Sequence, residues 1–381
     1  MNPDSVSHAS THLQSHVIQP LKETFVGKDE IIDLLGVCVV ARENLFLHGP
    51  PGTAKSALVQ SFSQLIAGQA FDYLLSRFTE PNELFGPFDI RKLREGDLVT
   101  NTEGMLPEAD IVFLDELLNA NSAILNSLLM ALNERIFRRG RETRKIPALF
   151  FVGASNHLPE EDTLRALFDR FLLRVRCEAV PDDQLEDVLV AGWNLEKKLA
   201  APDSPLSADN LREFQKLIPL VDLDAVRHEH IDLVLKLRHA GVEVSDRRAV
   251  RLQRIVAASA LVSGRMEARL SDLWIFRHIW DRQEQIGVIE SLVAATLSRS
   301  EPEAGDHPQA HAEQAPDPEV IMQQLTELAE RASNDSSSAA LTDDLRAISN
   351  RMEWIPAGAA RETLVEKRDA LWQQLETDQI C

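Results

Sequence analysis

The chain has 381 residues, 44% hydrophobic and 26% charged, with a formal net charge of −20. No run approaches the roughly 18 apolar residues of a membrane span, and the polar residues 1–15 lack the apolar centre of a signal peptide, so a cytoplasmic protein is expected. The acidic balance argues against broad binding to nucleic acid or anionic membranes. The scattered Cys38, Cys177 and Cys381 form neither a disulfide framework nor a metal-ligand spacing.

Residues 1–15 read as disordered, and helices follow over 16–24 and 30–41, with Gly27 in the turn between them. Leu45 to Leu47 reads as a short buried strand. It breaks into Gly49-Pro50-Pro51-Gly52-Thr53-Ala54 before a helix opens at Lys55-Ser56-Ala57 and runs to about Ala67, where Gly68 ends it. A strand feeding such a loop into a helix gathers unpaired N–H groups and the positive end of a helix dipole around an anion. Lys55 would then reach the outer phosphates, and the Ser56 hydroxyl would take one position on Mg²⁺. Ala54 stands where the pattern G-x-x-x-x-G-K-[ST] has its second glycine. An ordinary strand–turn–helix corner is the competing reading.

Phe71 to Leu75 reads as a second strand, and residues 76–107 as a long loop holding a small helix or hairpin, either functional or disordered. The run Ala109 to Glu116 has four consecutive apolar residues, the mark of a strand buried on both faces. Asp115 and Glu116 sit at its carboxyl end, where a doubly wound sheet places its ligand. Asp115 would hold the Mg²⁺ shell, and Glu116 would orient and polarise the attacking water. An amphipathic helix over 124–134 leads to Arg135–Lys145, with six basic residues around Gly140. This basic hairpin is either a solvated turn or a substrate contact.

Ala148 to Asn156 is another buried strand, and the Asn156 amide at its tip would hold the lytic water. A helix over 164–171 and a strand over 172–175 complete an alternation that predicts a parallel sheet covered on both faces. From Asp182 onward no strand signal appears, and helical patterns run over 183–199, 208–219, 224–240, 246–263 and 271–299. Residues 301–318 are Pro- and acid-rich and read as a flexible linker. Three more helices follow over 319–332, 341–354 and 358–377, the last with Leu364, Leu371, Trp372 and Leu375 on one face. Residues 301–381 hold 17 acids and 6 bases, a net −11 that suits a partner-docking surface.

The ordered set of Gly49–Ser56, Asp115-Glu116, Asn156, Asp169-Arg170-Phe171 and Ser245-Asp246-Arg247 resembles AAA+ ATPases of the MoxR family. The segments Arg77–Pro87 and Val244–Arg248 look most like its RavA branch, and the similarity covers roughly residues 20–280. The resemblance implies an α/β fold, a P-loop AAA+ parallel sheet sandwiched by helices over 16–182. An all-helical lid over 183–300, the linker 301–318 and a C-terminal helical appendage over 319–381 complete the chain. By the same resemblance Gly49, Pro50, Pro51, Gly52, Thr53, Ala54, Lys55, Ser56 and Ala57 match Walker A, where alanine before the lysine is usual. Asp115 and Glu116 match Walker B, Asn156 matches sensor 1, and Gly27 falls where the family packs near adenine. Arg170 matches the arginine finger that reaches a neighbouring subunit's ATP. Arg247 matches sensor 2, with Arg248 as the alternative. Residues 76–107 resemble the helix-2 insert, and 136–147 the pre-sensor-1 insert.

The implied function is Mg²⁺-dependent ATP hydrolysis by a ring, expected to be a hexamer, that remodels a client protein complex in a chaperone-like way. A protein with a von Willebrand factor A domain is the expected partner. RavA proteins carry a larger, β-containing C-terminal region, so their own partners do not carry over to this short helical tail. Two rivals stand beside this reading: a nucleotide-gated adaptor with negligible turnover, and a DNA-remodelling ATPase like the MCM helicases. The intact Glu116 argues against the first and the net charge against the second. For the arginines the plain alternatives are a helix cap at Arg170 and a surface ion pair at Arg247.

Overall fold

The computed structural model describes residues 3–95, 97–139, 142–159, 162–181, 184–197 and 206–314, together with parts of 321–378. The chain forms two compact units, residues 1–299 and 300–381. Sheet and lid, divided at 182 in the sequence reading, belong to one unit.

The first unit is built on five parallel strands: β1 (Leu45–His48), β3 (Ala70–Leu74), β4 (Ile111–Asp115), β7 (Phe150–Ser155) and β8 (Leu173–Arg176), in the order β3-β4-β7-β1-β8. Every residue of β1 and β7 is buried, as expected of strands covered by helices on both faces. Helices α3 (Asp29–Ala41), α4 (Lys55–Gln64), α7 (Ser122–Glu134) and α8 (Asp162–Phe168) accompany the sheet. This parallel sheet with a following helical part is the AAA+ α/β fold.

The helical part contains α11 (Arg227–His239), α12 (Asp246–Val262), a 3₁₀ helix over Leu270–His278 and α13 (Ile286–Leu297). The expected single helix over 271–299 is broken at 279–285. Its carbonyls at Ile279 and Trp280 turn out of the helical pattern to accept hydrogen bonds from Arg174 of β8. A second departure is a two-residue strand beyond 182: β9 (Leu206–Ser207) pairs with β2 (Ile66–Ala67), so α4 ends at Gln64 instead of running to Ala67. Two residues are too few to leave a periodic signal in the sequence.

Residues 1–15, expected to be disordered, carry helix α1 (Pro3–Leu13). Its Val6 and Leu13 are buried, and the Ser10 hydroxyl donates to the Val262 carbonyl at 2.6 Å, at the end of α12. The apolar positions are few and widely spaced, and tertiary contact supplies what local propensity does not.

The long segment after β3 holds α5 (Pro81–Phe85) and α6 (Ile90–Arg94), closed by an antiparallel bridge between Phe88 and Thr100. It is tied to the hairpin β5 (Ile136–Arg139) and β6 (Glu142–Lys145). Arg139 donates to the Gly86 carbonyl at 2.6 Å and covers the Phe88 ring at 3.9 Å, Arg144 reaches Thr102, and Phe85 stacks on Phe137. Arg135 is half-buried, its guanidinium over the Phe151 ring at 4.4 Å. Three of the six basic side chains thus make contacts within the molecule, Arg144 from an exposed position; Arg141 and Gly140 lie outside the described residues.

In the second unit, a 3₁₀ helix over Pro308–Gln314 occupies part of the expected linker, whose residues 315–318 lie outside the described residues, as does most of the helices expected over 319–332 and 341–354. The described residues Ile321, Leu325, Leu328, Leu345, Met352, Leu364 and Leu371 form an apolar core, with the helix Ala359–Asp378 supplying the last two.

Candidate functional site

Strand β1 lies between β7 and β8, and its carboxyl end delivers the chain into the loop 49–54 at the middle of the sheet edge. Gly49 is required there by close approach: a Cβ would lie 2.1 Å from the Cys177 carbonyl oxygen. At Ala54 the backbone takes the left-handed conformation, φ +64°, immediately before α4. Alanine therefore holds the geometry that glycine supplies in the commoner pattern, at a cost of roughly 1–2 kcal/mol. Thr53 closes the loop through its hydroxyl, which donates to the Pro50 carbonyl at 2.9 Å.

Lys55 is buried, and its ammonium donates to the carbonyls of Gly49 and Pro50 at 2.8 and 2.7 Å. It lies folded over its own loop. Next to it, the Ser56 hydroxyl donates to Asp115 Oδ2 at 2.8 Å, joining the first turn of α4 to the last residue of β4. The other oxygen of Asp115 accepts from the Glu116 N–H at 2.9 Å. Glu116 is itself in the left-handed region, φ +49°, with its carboxylate accepting from Asn119 at 3.3 Å. That turn points the chain away from the strand and leaves the Glu116 side chain partly exposed. Hard oxygen donors at hydrogen-bond distance, beside a buried ammonium and a helix start, fit Mg²⁺ and a polyphosphate.

Asn156 follows β7, one strand over, and its Oδ1 lies 2.8 Å from His157 Nδ1. Gly27, at φ +67°, lines a cleft of about 310 Å³ with Ile31, Val175, Val180 and Trp280. A larger cleft of about 1040 Å³ is lined by His48 and Asn156 from the strand ends and by Ser245, Arg248 and Asp281 from the helical part. The larger opening does not include Lys55, Ser56 or Asp115. The chemistry of those side chains, not the size of the opening, makes them the candidate phosphate site.

The arginines separate. Arg170 follows α8, and its carbonyl accepts from Asn44 at 3.0 Å, just before β1 begins. Its guanidinium is mostly buried, has one long ion pair at 3.8 Å with exposed Asp169, and leaves Nε without a partner among the described residues. No hydrogen bond or ion pair joins it to Lys55, Ser56, Asp115 or Glu116 among the described residues. Arg247 is exposed on the first turn of α12 and carries no hydrogen bond or ion pair among the described residues, so the surface ion pair is not made.

Arg248 is buried and engaged through both terminal nitrogens, while its Nε has no partner among the described residues. It donates to the Glu243 carbonyl at 3.0 Å, to Asp281 at 2.9 Å and to the Ile279 carbonyl. Sequence reasoning gave no place to Arg174, which is wholly buried in β8 with its ion pair to Asp281 at 2.8 Å. Burial, reinforced by neighbouring Arg248, lowers the Arg174 pKa to about 9. The one available signal was an arginine inside the otherwise apolar run 171–175.

A family model described as the MoxR domain in the MoxR-vWA-beta-propeller ternary systems matches residues 11–216, and an AAA lid domain matches 227–293. Two uncharacterized proteins of Methanocaldococcus jannaschii are 36% and 35% identical, covering 74% and 70% of this chain and 74% and 71% of their own. Chaperone MoxR1 of Mycobacterium tuberculosis is 26% identical over 60% of this chain and 59% of that protein. A solved structure of a candidate ATPase from Cytophaga hutchinsonii shares the fold, with a TM-score of 0.61 at 16% identity over 78% of this chain and 97% of that one. The RavA branch stays a resemblance of residues 77–87 and 244–248. With more than half of its length matched by the family model, the chain belongs to the MoxR family of AAA+ ATPases.

Proposed function

We propose that this chain hydrolyses ATP with Mg²⁺ at sites shared between neighbouring subunits of a ring, expected to be a hexamer, and uses the turnover to remodel a client protein complex. The observation that carries the proposal is the contact of Ser56 with Asp115 beside buried Lys55. Ser56 and Asp115 would hold Mg²⁺, which would supply positive charge against the phosphates. Lys55 would exchange its two loop carbonyls for phosphate oxygens. Asp115 is held by the Glu116 N–H through one oxygen and faces Ser56 with the other. Glu116 would accept a hydrogen bond from the attacking water and polarise it, with Asn156 positioning that water from the next strand. Arg247, exposed at the start of α12, would close on the γ-phosphate from the lid, and the Gly27 cleft would take the adenine. Arg170 would act on the ATP of the adjacent subunit.

The family description supports a partner carrying a von Willebrand factor A domain. A DNA-remodelling role draws little support, because Arg135, Arg139 and Arg144 of the hairpin are engaged within the molecule.

Glu116→Gln tests the chemistry. It should bind ATP as the native chain does and lose at least about 10²-fold in phosphate release, the contribution typical of a general base. Lys55→Ala should instead weaken binding itself. Native turnover by Glu116→Gln would remove the carboxylate from the mechanism.

A further inference from the structure

Arg174 makes contacts in two directions. Toward its own strand, Nη2 donates to the Phe168 carbonyl at 3.2 Å, and the guanidinium covers the Phe168 ring at 4.3 Å. Phe168 ends α8, two residues before Arg170. Toward the helical part, Nη1 donates to the carbonyls of Ile279 and Trp280 at 3.2 and 2.9 Å and pairs with Asp281. Asp281 also pairs with Arg248, whose neighbour Arg247 is the sensor 2 candidate. The route from α12 to the arginine-finger segment is therefore continuous: Arg248, Asp281, Arg174, Phe168.

Every member of that route is held by charge or by a carbonyl. Two guanidiniums share one carboxylate whose side chain is 30% exposed, while Arg174 is fully buried and Arg248 nearly so. Packing alone would be served better by apolar residues, since a buried ion pair rarely repays the cost of removing its charges from water. A shared carboxylate has another property: a shift of α12 changes which guanidinium it favours. The segment carrying Arg170 then responds, because the carbonyl two residues upstream is held by the second of those guanidiniums.

We infer that Asp281 is a positioning residue through which the lid of one subunit sets the arginine finger that the same subunit donates to its neighbour. The inference rests on the shared-site reading above. In an ATP-loaded subunit, Arg247 and α12 engage their own nucleotide, and the Arg248–Asp281–Arg174 route aligns Arg170 for the next site. Turnover at one site thereby depends on occupancy of the site beside it.

The test uses mixed rings of full-length chains. Asp281→Asn should bind ATP with native KM and lose turnover by up to about 10²-fold, the scale of a displaced catalytic group. Mixed with Lys55→Ala subunits, which bring an intact finger, Asp281→Asn should recover activity. Mixed with Arg170→Ala subunits, which need a finger from it, it should not. The opposite pattern, recovery with Arg170→Ala only, would place Asp281 at its own subunit's ATP and overturn the inference. Native turnover would overturn it as well.

Removing the carboxylate leaves two buried guanidiniums facing each other, so Arg248→Gln is the companion variant. It keeps the Arg174–Asp281 pair intact and should show the same donor defect in a chain that is less stable but still folded, as read by circular dichroism at the assay temperature. Failure in both mixtures by this folded variant would reduce the route to a packing feature. The underlying reading is tested separately. If Arg170→Ala alone turns over like the native chain, the shared site itself is refuted. If it is inactive and recovers with Lys55→Ala, the shared site stands whatever Asp281 does.

Discussion

Asn44 Nδ2 donates to the carbonyl of Arg170 at 3.0 Å, while Asn44 Oδ1 accepts from Arg135 Nη2 at 2.8 Å. One amide thus anchors the chain at Arg170 to the amino end of β1, and the P-loop leaves from the carboxyl end. Gly49 lies five residue steps beyond Asn44, roughly 16 Å at about 3.3 Å per residue of strand. The Arg170 backbone is thus tied to the end of β1 opposite the candidate phosphate loop, a geometry that suits the proposed action on a neighbouring chain.

The amide makes a prediction of its own. Asn44→Ala releases the Arg170 carbonyl and leaves Arg135 with one side-chain partner fewer. Turnover should fall, approaching the roughly 10²-fold of a misplaced catalytic group, while the KM for ATP is unchanged. A rise in KM with unchanged kcat would mean that Asn44 serves binding in its own subunit.

Ala54 offers a test of the loop. Its left-handed backbone costs an alanine roughly 1–2 kcal/mol that glycine avoids, partly offset by the greater freedom of glycine in the unfolded chain. Ala54→Gly should therefore stabilise the chain slightly, read as a higher melting temperature in the absence of nucleotide. A lower melting temperature would show that the alanine methyl makes a contact worth more than the strain.

Acid sensitivity follows from two buried histidines. Burial lowers the pKa of His48 and of His230 below the ordinary histidine value of about 6.5. Below that value the unfolded chain binds protons that the folded chain refuses, so stability is present above pH about 6.5 and is lost as pH falls. Thermal melts from pH 7.5 to 5 should show a falling midpoint. His230→Leu, which keeps an apolar side chain against Phe276, should flatten that fall, and an unchanged slope would clear His230 of the effect.

The legible parts of this molecule are those whose cause is local. The buried runs of β1, β4 and β7 announce strands covered on both faces, and Lys55, Ser56, Asp115 and Glu116 stand out as candidates by residue type near strand ends. What the sequence hides is long-range. The packing of α1 depends on contacts more than 240 residues away, such as Ser10 with Val262. At the break over 279–285 two carbonyls accept from Arg174 of β8, a partner that nothing in the local pattern of 271–299 reveals. Arg247 and Arg248 are adjacent and chemically identical in sequence. Only the fold distinguishes an exposed, unengaged side chain from one buried against Asp281.

The most direct measurement of the shared site is complementation between two inactive variants. Arg170→Ala should bind ATP and lose turnover, since an arginine finger contributes about 10³–10⁵ in rate where its effect has been measured. Lys55→Ala subunits lack a working P-loop but carry a sound finger. Mixed together, the two should regain part of native phosphate release, and the recovered activity should rise with total protein concentration as rings assemble. No recovery at any ratio, together with native turnover per subunit on dilution to a demonstrated monomer, would contradict the account and place the whole hydrolytic site within one chain.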